Sequence, residues 1–514
     1  MSDVHSPLAG IDGARRSLIT VSIMMASIMQ VLDTTIANVA LPHIQGSLSA
    51  TQDQIAWVLT SYIVAAAIMT PLSGWLAGQV GRKRVLLVSI AGFTLASMLC
   101  GLATSLPQMV LARLLQGLCG AALVPMSQAI LLDINPPERH GRAMSIWVMG
   151  ITIGPIIGPA LGGWLTDNYN WRWVFYINVP FGILAFLGTL STLPRSDTRR
   201  SAFDFFGFAT LSLAVGALQI TLDRGQLKDW FNSPEICIEA AVAAAAFYLF
   251  AVHMITARST RFLNPALFKD RNFMAGCIFI FTVGVVMFAT LALLPPLLQD
   301  LLNYPVVTTG IVTAPRGFGT LLAMLIFGRL SRQIDVRLVV GFGFAMTAFS
   351  AWQMTQFDLQ MGMSAVVWSG ITQGIGTGLV YVPLATATFA TLRSSLRNEA
   401  ASLFSLSRNL GSSIGISIVE TLLTRNTQIV HASLAEHLTP FSPIVRAQIP
   451  GALAGHGLPA LNASVTVQAA MVAYDDNFKL MMWLALAALP LVLLLRTGRS
   501  RIAAGALAAS AAVE

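Results

Sequence analysis

Residues 74–84 read Gly74-Trp-Leu-Ala-Gly-Gln-Val-Gly-Arg-Lys-Arg84, and residues 328–337 read Gly328-Arg-Leu-Ser-Arg-Gln-Ile-Asp-Val-Arg337. Aligned on their first glycines, the stretches pair Leu76 with Leu330, Gln79 with Gln333 and Lys83 with Arg337 at an offset of 254. A second echo lies at 257, where Gln116-Gly117 leading to Leu123-Val124-Pro125 returns as Gln373-Gly374 leading to Leu379-Val380 and Pro383. Each copy sits in or beside an apolar block long enough to cross a bilayer, so the chain reads as a duplication. The copies fall at equivalent block numbers only if two extra blocks separate two sets of six. Blocks seven and eight are then an insert.

Composition points the same way. Of 514 residues, 55% are hydrophobic and only 11% charged, against roughly 25% charged in an ordinary globular protein. Scanning for apolar runs of about 20 residues predicts fourteen spans, near 17–40, 55–77, 84–104, 107–131, 143–166, 173–193, 205–222, 236–257, 272–299, 307–330, 337–357, 363–391, 400–425 and 478–496. A soluble enzyme is excluded, and the unbroken apolar runs exclude an outer-membrane barrel, whose strands alternate. The expected organisation is a six-span bundle over 1–196, a linker with two extra spans over 197–262, and a second six-span bundle over 263–514.

The net charge of +8 follows the loops rather than a nucleic-acid footprint. Twenty-two of the 31 Lys and Arg residues fall on one side of the fourteen-span topology and six on the other, which predicts that both termini are cytoplasmic. Cys100, Cys119, Cys237 and Cys277 show no CxxC spacing, so neither a disulfide framework nor a zinc site is expected, and no metal is expected elsewhere. Arg15-Arg16 before an apolar run resembles a signal peptide, but no small-x-small cleavage site follows, and the segment reads as the first span. The one long hydrophilic stretch, about 428–477, lies on the outer side. Its part from Leu461 to Tyr474 is expected either as a short interfacial helix or as flexible loop.

Ionisable residues inside apolar spans carry the functional expectation, since each is costly there. Asp33 has the chemistry of a proton carrier; the competing expectation is a local cap on Thr34 or Asn38. Arg113 stays charged in any environment and cannot itself carry the proton, but it can bias a neighbouring carboxylate; snorkelling to the interface is its alternative. Gln116, three residues on, shares its helix face. Gly150, Gly154, Gly158 and Gly162 recur every four residues with Pro155 and Pro159 interleaved, a smooth strip for close helix approach. Gly411 and Gly415 offer a second strip. Arg316, Arg408 and Glu420 each need a partner of their own, because Arg408 and Glu420 are about 18 Å apart along one helix. Gln116, Arg316, Gln373, Tyr381 and Arg408 are the residues assigned to a substrate cavity, although core or lipid-facing roles compete for Tyr381, Met287, Phe288 and Trp368. Three in-span arginines against two acids favour neutral or anionic lipophiles over dications. Among the four lysines none closes a GxxxxGK[ST] loop, so the driving force is an ion gradient and no cofactor is expected.

From about Gln30 to Leu495 the chain resembles the fourteen-span drug:proton antiporters of the major facilitator superfamily, EmrB/QacA type, and most closely the EmrB branch. The residues that carry this are Leu32-Asp33-Thr-Thr-Ile-Ala-Asn-Val-Ala-Leu-Pro42, the 74–84 turn, Arg113 with Gln116-Gly117, the 150–163 glycine run, Trp171-Arg-Trp-Val-Phe175 through Asn178 and Pro180, and Leu222-Asp223-Arg224-Gly225. The resemblance implies an all-α polytopic protein with the major facilitator fold, two six-helix bundles plus two inserted helices. It implies multidrug efflux across a bacterial inner membrane in exchange for protons, with Asp33 and Arg113 coupling and Glu420 in reserve. It also implies that the 150–162 strip lies at the contact between halves. The turn's Gly74, Arg82, Lys83 and Arg84, with Asp335 and Arg337 from the second copy, would latch the cytoplasmic face. The acid usual at the turn's fifth position is here Gly78, so carbonyl contacts are expected to replace it. Partners implied are lipophilic small molecules, protons, membrane lipids, a periplasmic membrane-fusion adaptor and an outer-membrane channel. Export of a single metabolite or lipid, and a non-transporting scaffold, are the competing functions; the scaffold would have no use for charges inside the bilayer.

Overall fold

The computed structural model describes residues 12–136, 139–195, 198, 202–257, 261–330, 334–393, 396–438 and 457–495. Within them the chain is helical throughout. Fourteen long helices run α1 (Gly13–Ser47), α2 (Trp57–Val80), α3 (Arg82–Leu102), α4 (Leu106–Ile134), α5 (His140–Asn168), α6 (Trp173–Thr192), α7 (Phe205–Arg224), α8 (Pro234–Thr256), α9 (Arg271–Pro296), α10 (Pro315–Leu330), α11 (Val336–Met354), α12 (Met363–Ala390), α13 (Arg397–Glu436) and α14 (Gly457–Ala488). Eleven of these positions are long and apolar enough to cross a membrane. The remaining three, α5, α11 and α13, coincide with the spans expected near 143–166, 337–357 and 400–425.

Acidic caps start several helices. Asp12 accepts from the Gly13 amide, Asp204 from Gly207, Asp270 from Phe273 and Asp335 from Arg337, each satisfying an orphan donor of the first turn. All four caps and the Arg82, Lys83, Arg84 cluster lie at one end of the bundle, called here the basic end. Between α2 and α3 a single residue, Gly81, turns the chain at φ 93°, a conformation in which a side chain would be strained.

Packing groups α1 to α6 and, separately, α9 to α14, with α1 on α5 and α6 in the first half and α9 on α12 and α13 in the second. α7 and α8 pack on each other, and α7 also lies against α2 and α13, one from each half. The halves meet along α2–α13 and α5–α10.

The glycine strips are where the structure departs from expectation. A Cβ on Gly154 would lie 3.0 Å from Val31, one on Gly162 3.0 Å from Ile36, and one on Gly158 would overlap Thr35, all on α1. Gly150 likewise faces Met24. The strip therefore closes α5 on α1 inside the first half rather than across the halves. The side chain of Pro155 lies outside the described residues. The second strip repeats this inside the other half: Gly411 presses on the Phe281 carbonyl and Gly415 on Val285 of α9. Small-residue periodicity dictates a close approach but does not name the neighbour.

The outer stretch is also different. α13 runs 40 residues, about 60 Å, roughly twice the hydrocarbon thickness, so its last turns project beyond the bilayer. α14 begins at Gly457, and the expected interfacial helix from Leu461 is simply its first turns. The projecting ends touch through His431 and Asn462 (3.0 Å). Residues 439–456 of this segment lie outside the described residues.

Candidate functional site: a buried charge centre in the first half

Asp33 and Arg113 meet in the interior of the first half. Asp33 is fully buried and Arg113 is 1% exposed. Their atoms Oδ2 and Nη1 are 2.6 Å apart. Asp33 Oδ1 accepts two further hydrogen bonds, from Gln116 Nε2 (2.8 Å) and Asn178 Nδ2 (2.7 Å). Arg113 also donates to Gln116 Oε1 (2.7 Å) and, through Nε, to the Val58 carbonyl (3.1 Å). Its guanidinium lies over the Tyr62 ring, 4.4 Å from the centroid, and 5.7 Å from that of Phe175. Asn178 is itself held by Ser97 (2.9 Å).

This geometry decides between the alternatives the sequence left open. Thr34 spends its hydroxyl on the Val31 carbonyl, so Asp33 is no local cap, and Arg113 does not snorkel. The centre ties together α1, α2, α4 and α6. A buried carboxylate that accepts from a guanidinium and two amides has hydrogen bonds on both oxygens, and removing either charge strands the other. Asn178 completes the centre and was missed as a site residue. Its signals in the sequence are an amide at the apolar entry of a span and its place in the Trp171 to Pro180 run that carries the family resemblance.

At the basic end, Asp133 at the close of α4 takes a hydrogen bond from Arg82 of the first half and an ion pair of 2.6 Å from Arg397 at the start of α13. Ser73 and Ser402 hydroxyls meet at 3.0 Å, and a Cβ on Gly74 would lie 2.9 Å from the Glu399 Cα. The latch thus has a carboxylate after all, supplied by Asp133 rather than by carbonyls. Among the described residues Asp335 and Arg337 make no latch contact: Asp335 caps α11 and Arg337 donates to the Leu495 carbonyl (2.6 Å), both within the second half. Lys83 donates to Leu190 (2.7 Å) in its own half, and Arg84 is exposed. Beside the latch, a cavity of about 970 Å³ opens between α2, the linkers at Asp204 and Phe262, and Glu399.

The assigned cavity residues do not converge. Gln116 belongs to the charge centre. Gln373 donates to Thr290 (2.9 Å), Arg316 to the Met287 carbonyl (3.3 Å), and Arg408 to the Tyr381 hydroxyl (3.2 Å). Glu420 is exposed near the opposite end, where Asp223 of α7 is the charge that acts on it. Met287 is partly buried, and Trp368 is exposed on the outer surface of the bundle.

Residues 23–416 match the sequence profile of the Major Facilitator Superfamily. The chain belongs to the major facilitator superfamily, EmrB type. It is 38% identical over 477 residues to the multidrug export protein EmrB of Escherichia coli K12, covering 91% of this chain and 93% of that protein. It is 36% identical over 473 residues to the fatty acid resistance protein FarB of Neisseria gonorrhoeae, with 91% and 93% covered. Among solved structures it is similar to the human organic anion transporter MFSD10, with a TM-score of 0.57 at 12% identity over 91% of this chain and 99% of the other, a likeness of fold. A facilitator of this type is a membrane transporter rather than an enzyme, and its fold accounts for the two bundles and their meeting face.

Proposed function

We propose that this protein is a proton-coupled multidrug efflux antiporter that moves lipophilic compounds out across the inner membrane by alternating access. The observation that carries the reading is the sealed Asp33–Arg113 centre. Protonating Asp33 removes the anion that holds the guanidinium, while Arg113 keeps its charge. One proton is then felt by four helices, because Gln116, Asn178 and the Val58 carbonyl all answer to the same pair. α1 passes the change to α5 through the glycine strip, and α5 lies on α10 of the other half. Ionised Asp33 accompanies drug loading in the inward-facing state, and protonated Asp33 permits the return step with no drug bound.

In this reading the basic end is cytoplasmic, as are both termini, and the projecting ends of α13 and α14 face the periplasm. There they form the surface for a membrane-fusion adaptor that passes substrate to an outer-membrane channel. Multidrug export is supported by the EmrB relatives. The deciding experiment is efflux from energised vesicles loaded with lipophilic anions, cations and neutral compounds. Wild-type protein is expected to extrude several of them when a proton gradient is imposed. Asp33→Asn is expected to bind them and extrude none, and wild-type rates in that variant would overturn the coupling role.

A further inference from the structure

Protonated Asp33 no longer balances Arg113, yet the guanidinium keeps its charge and is sealed from solvent at 1% exposure. Its neutral acceptors are then the Val58 carbonyl, 3.1 Å from Nε, and Gln116 Oε1, 2.7 Å from Nη1. Two neutral dipoles are a thin replacement for a carboxylate in a bilayer interior. The cation needs a further holder in that state.

The packing of α2 supplies one. Tyr62 stands one turn beyond Val58 on the same face of α2, 3% exposed, with its ring centroid 4.4 Å from the guanidinium carbon. A Cβ on Gly117 would press into the Tyr62 carbonyl, and one on Gly120 would lie 2.9 Å from the Phe93 ring and 3.4 Å from the Tyr62 hydroxyl. These glycines let α4 close on α2 and carry Arg113 across the ring face. Phe175 of α6 offers a second ring at 5.7 Å, close to the limit of such contacts. The Tyr62 hydroxyl is buried without a partner, which leaves the ring as the part of the side chain that acts. Besides Asp33, Arg113 and Tyr62, the titratable group at the centre among the described residues is Cys100 of α3, its Sγ 3.5 Å from Gln116 Oε1. A ring face attracts a lone cation more strongly than one whose field is cancelled by a carboxylate 2.6 Å away. The Tyr62 contact therefore strengthens as the Asp33 contact weakens.

We infer that Tyr62 is a positioning residue of the charge centre: its ring holds the Arg113 guanidinium while Asp33 is protonated and draws the cation toward α2. This rests on the coupling reading above and adds the route by which α2 feels the proton. α2 also carries Ser73, which meets Ser402 of α13, and Thr60, which hydrogen-bonds Asp223 of the inserted α7. A pull on Tyr62 thus acts on a helix joined to the second half near one end and to the insert near the other.

Asp33→Asn fixes the neutral state, so the ring can be weighed in both states by thermal unfolding of the full chain in detergent. Tyr62→Leu should lower the melting temperature about twice as far in the Asp33→Asn background as in the wild-type background, and Tyr62→Phe should restore most of either loss. A ring that merely fills space is missed equally in both, so equal falls, or no rescue by phenylalanine, would overturn the inference. A second measurement needs no change at Asp33 and serves if Asp33→Asn folds poorly. In energised vesicles loaded with the neutral fluorophore N-phenylnaphthylamine, Tyr62→Leu should cut the maximal export rate about fivefold while the half-saturating concentration moves by less than about twofold, and Tyr62→Phe should recover most of the rate. Export by Tyr62→Leu at the wild-type rate would likewise overturn the role of the ring. If wild-type protein shows no gradient-driven export, the coupling reading falls instead, and the unfolding comparison still decides whether the ring answers to Asp33.

Discussion

The two halves share a backbone plan and differ in how they treat a buried arginine. In the first, Arg113 meets Asp33 at 2.6 Å and both oxygens of the carboxylate accept hydrogen bonds. In the second, Arg316 has one carbonyl at 3.3 Å and an unpartnered nitrogen. The packing differs in parallel. The first half's strip, Gly150 to Gly162, meets mostly side-chain atoms of α1, whereas Gly411 and Gly415 press on carbonyls of α9. Duplication thus preserves which helices touch and leaves the polar chemistry free to diverge: a self-contained charge centre on one side, an open one on the other.

The largest expected effect comes from breaking the complete centre. Arg113→Ala leaves Asp33 buried and unpaired, a loss of about 3–5 kcal/mol, and should lower the melting temperature sharply. The double variant Asp33→Asn, Arg113→Gln should recover much of that stability without recovering gradient-driven efflux. Additive losses in the thermal unfolding of Asp33→Asn, Arg113→Gln and the double variant would show that the pair is not coupled. By contrast, Arg316→Gln, which breaks no ion pair, should leave stability unchanged or improved, and a loss as large as that of Arg113→Ala would erase the distinction between the halves.

A smaller difference separates the strips. Gly411→Ala sets a Cβ against the Phe281 carbonyl, where only backbone movement relieves it, and should cost about 1–3 kcal/mol. Gly158→Ala meets the hydroxyl end of Thr35, which can rotate, and should cost less. Reversal of that order in denaturant melts would mean that the strips are not equivalent contacts. The latch offers a third measurement. Ser73→Cys with Ser402→Cys, in a background without the native cysteines, should cross-link readily, and adding Arg397→Ala should reduce the yield several-fold. An unchanged yield would remove Asp133 from the closure of the basic end. Last, deleting 439–456 should leave vesicle transport within about twofold while resistance in cells is lost; retained resistance would exclude the projecting hairpin as the adaptor surface.

Much of this was legible because charge is conspicuous in apolar sequence. Asp33 and Arg113 stand out by cost alone, and the paired offsets of 254 and 257 expose the duplication and its insert. Asn178 was not visible as part of the centre, since a neutral amide at the start of a span carries no such penalty. Asp133 was missed for the opposite reason. At the end of α4 it reads as an ordinary loop-proximal acid, and only the fold brings Arg397 to it from 264 residues away. The 40 residues of α13 were hidden because its outer turns are polar, and a hydropathy scan stops where the apolar run stops although the helix continues. The glycine strips gave the right face and the wrong neighbour, because spacing fixes a smooth surface and tertiary packing chooses what lies on it.

The inserted helix α7 constrains the mechanics at the end opposite the latch. Thr60 of α2 hydrogen-bonds Asp223, and Ser417 of α13 donates to the Leu222 carbonyl (3.1 Å), so consecutive residues of one helix grip both halves. A twelve-span arrangement has no such crossbar. Here the mouth cannot spread evenly: on the α2–α13 flank it widens only by releasing one of these two grips. Separation of α2 from α13 at that end is thereby tied to α7, whereas α5 and α10 touch each other directly.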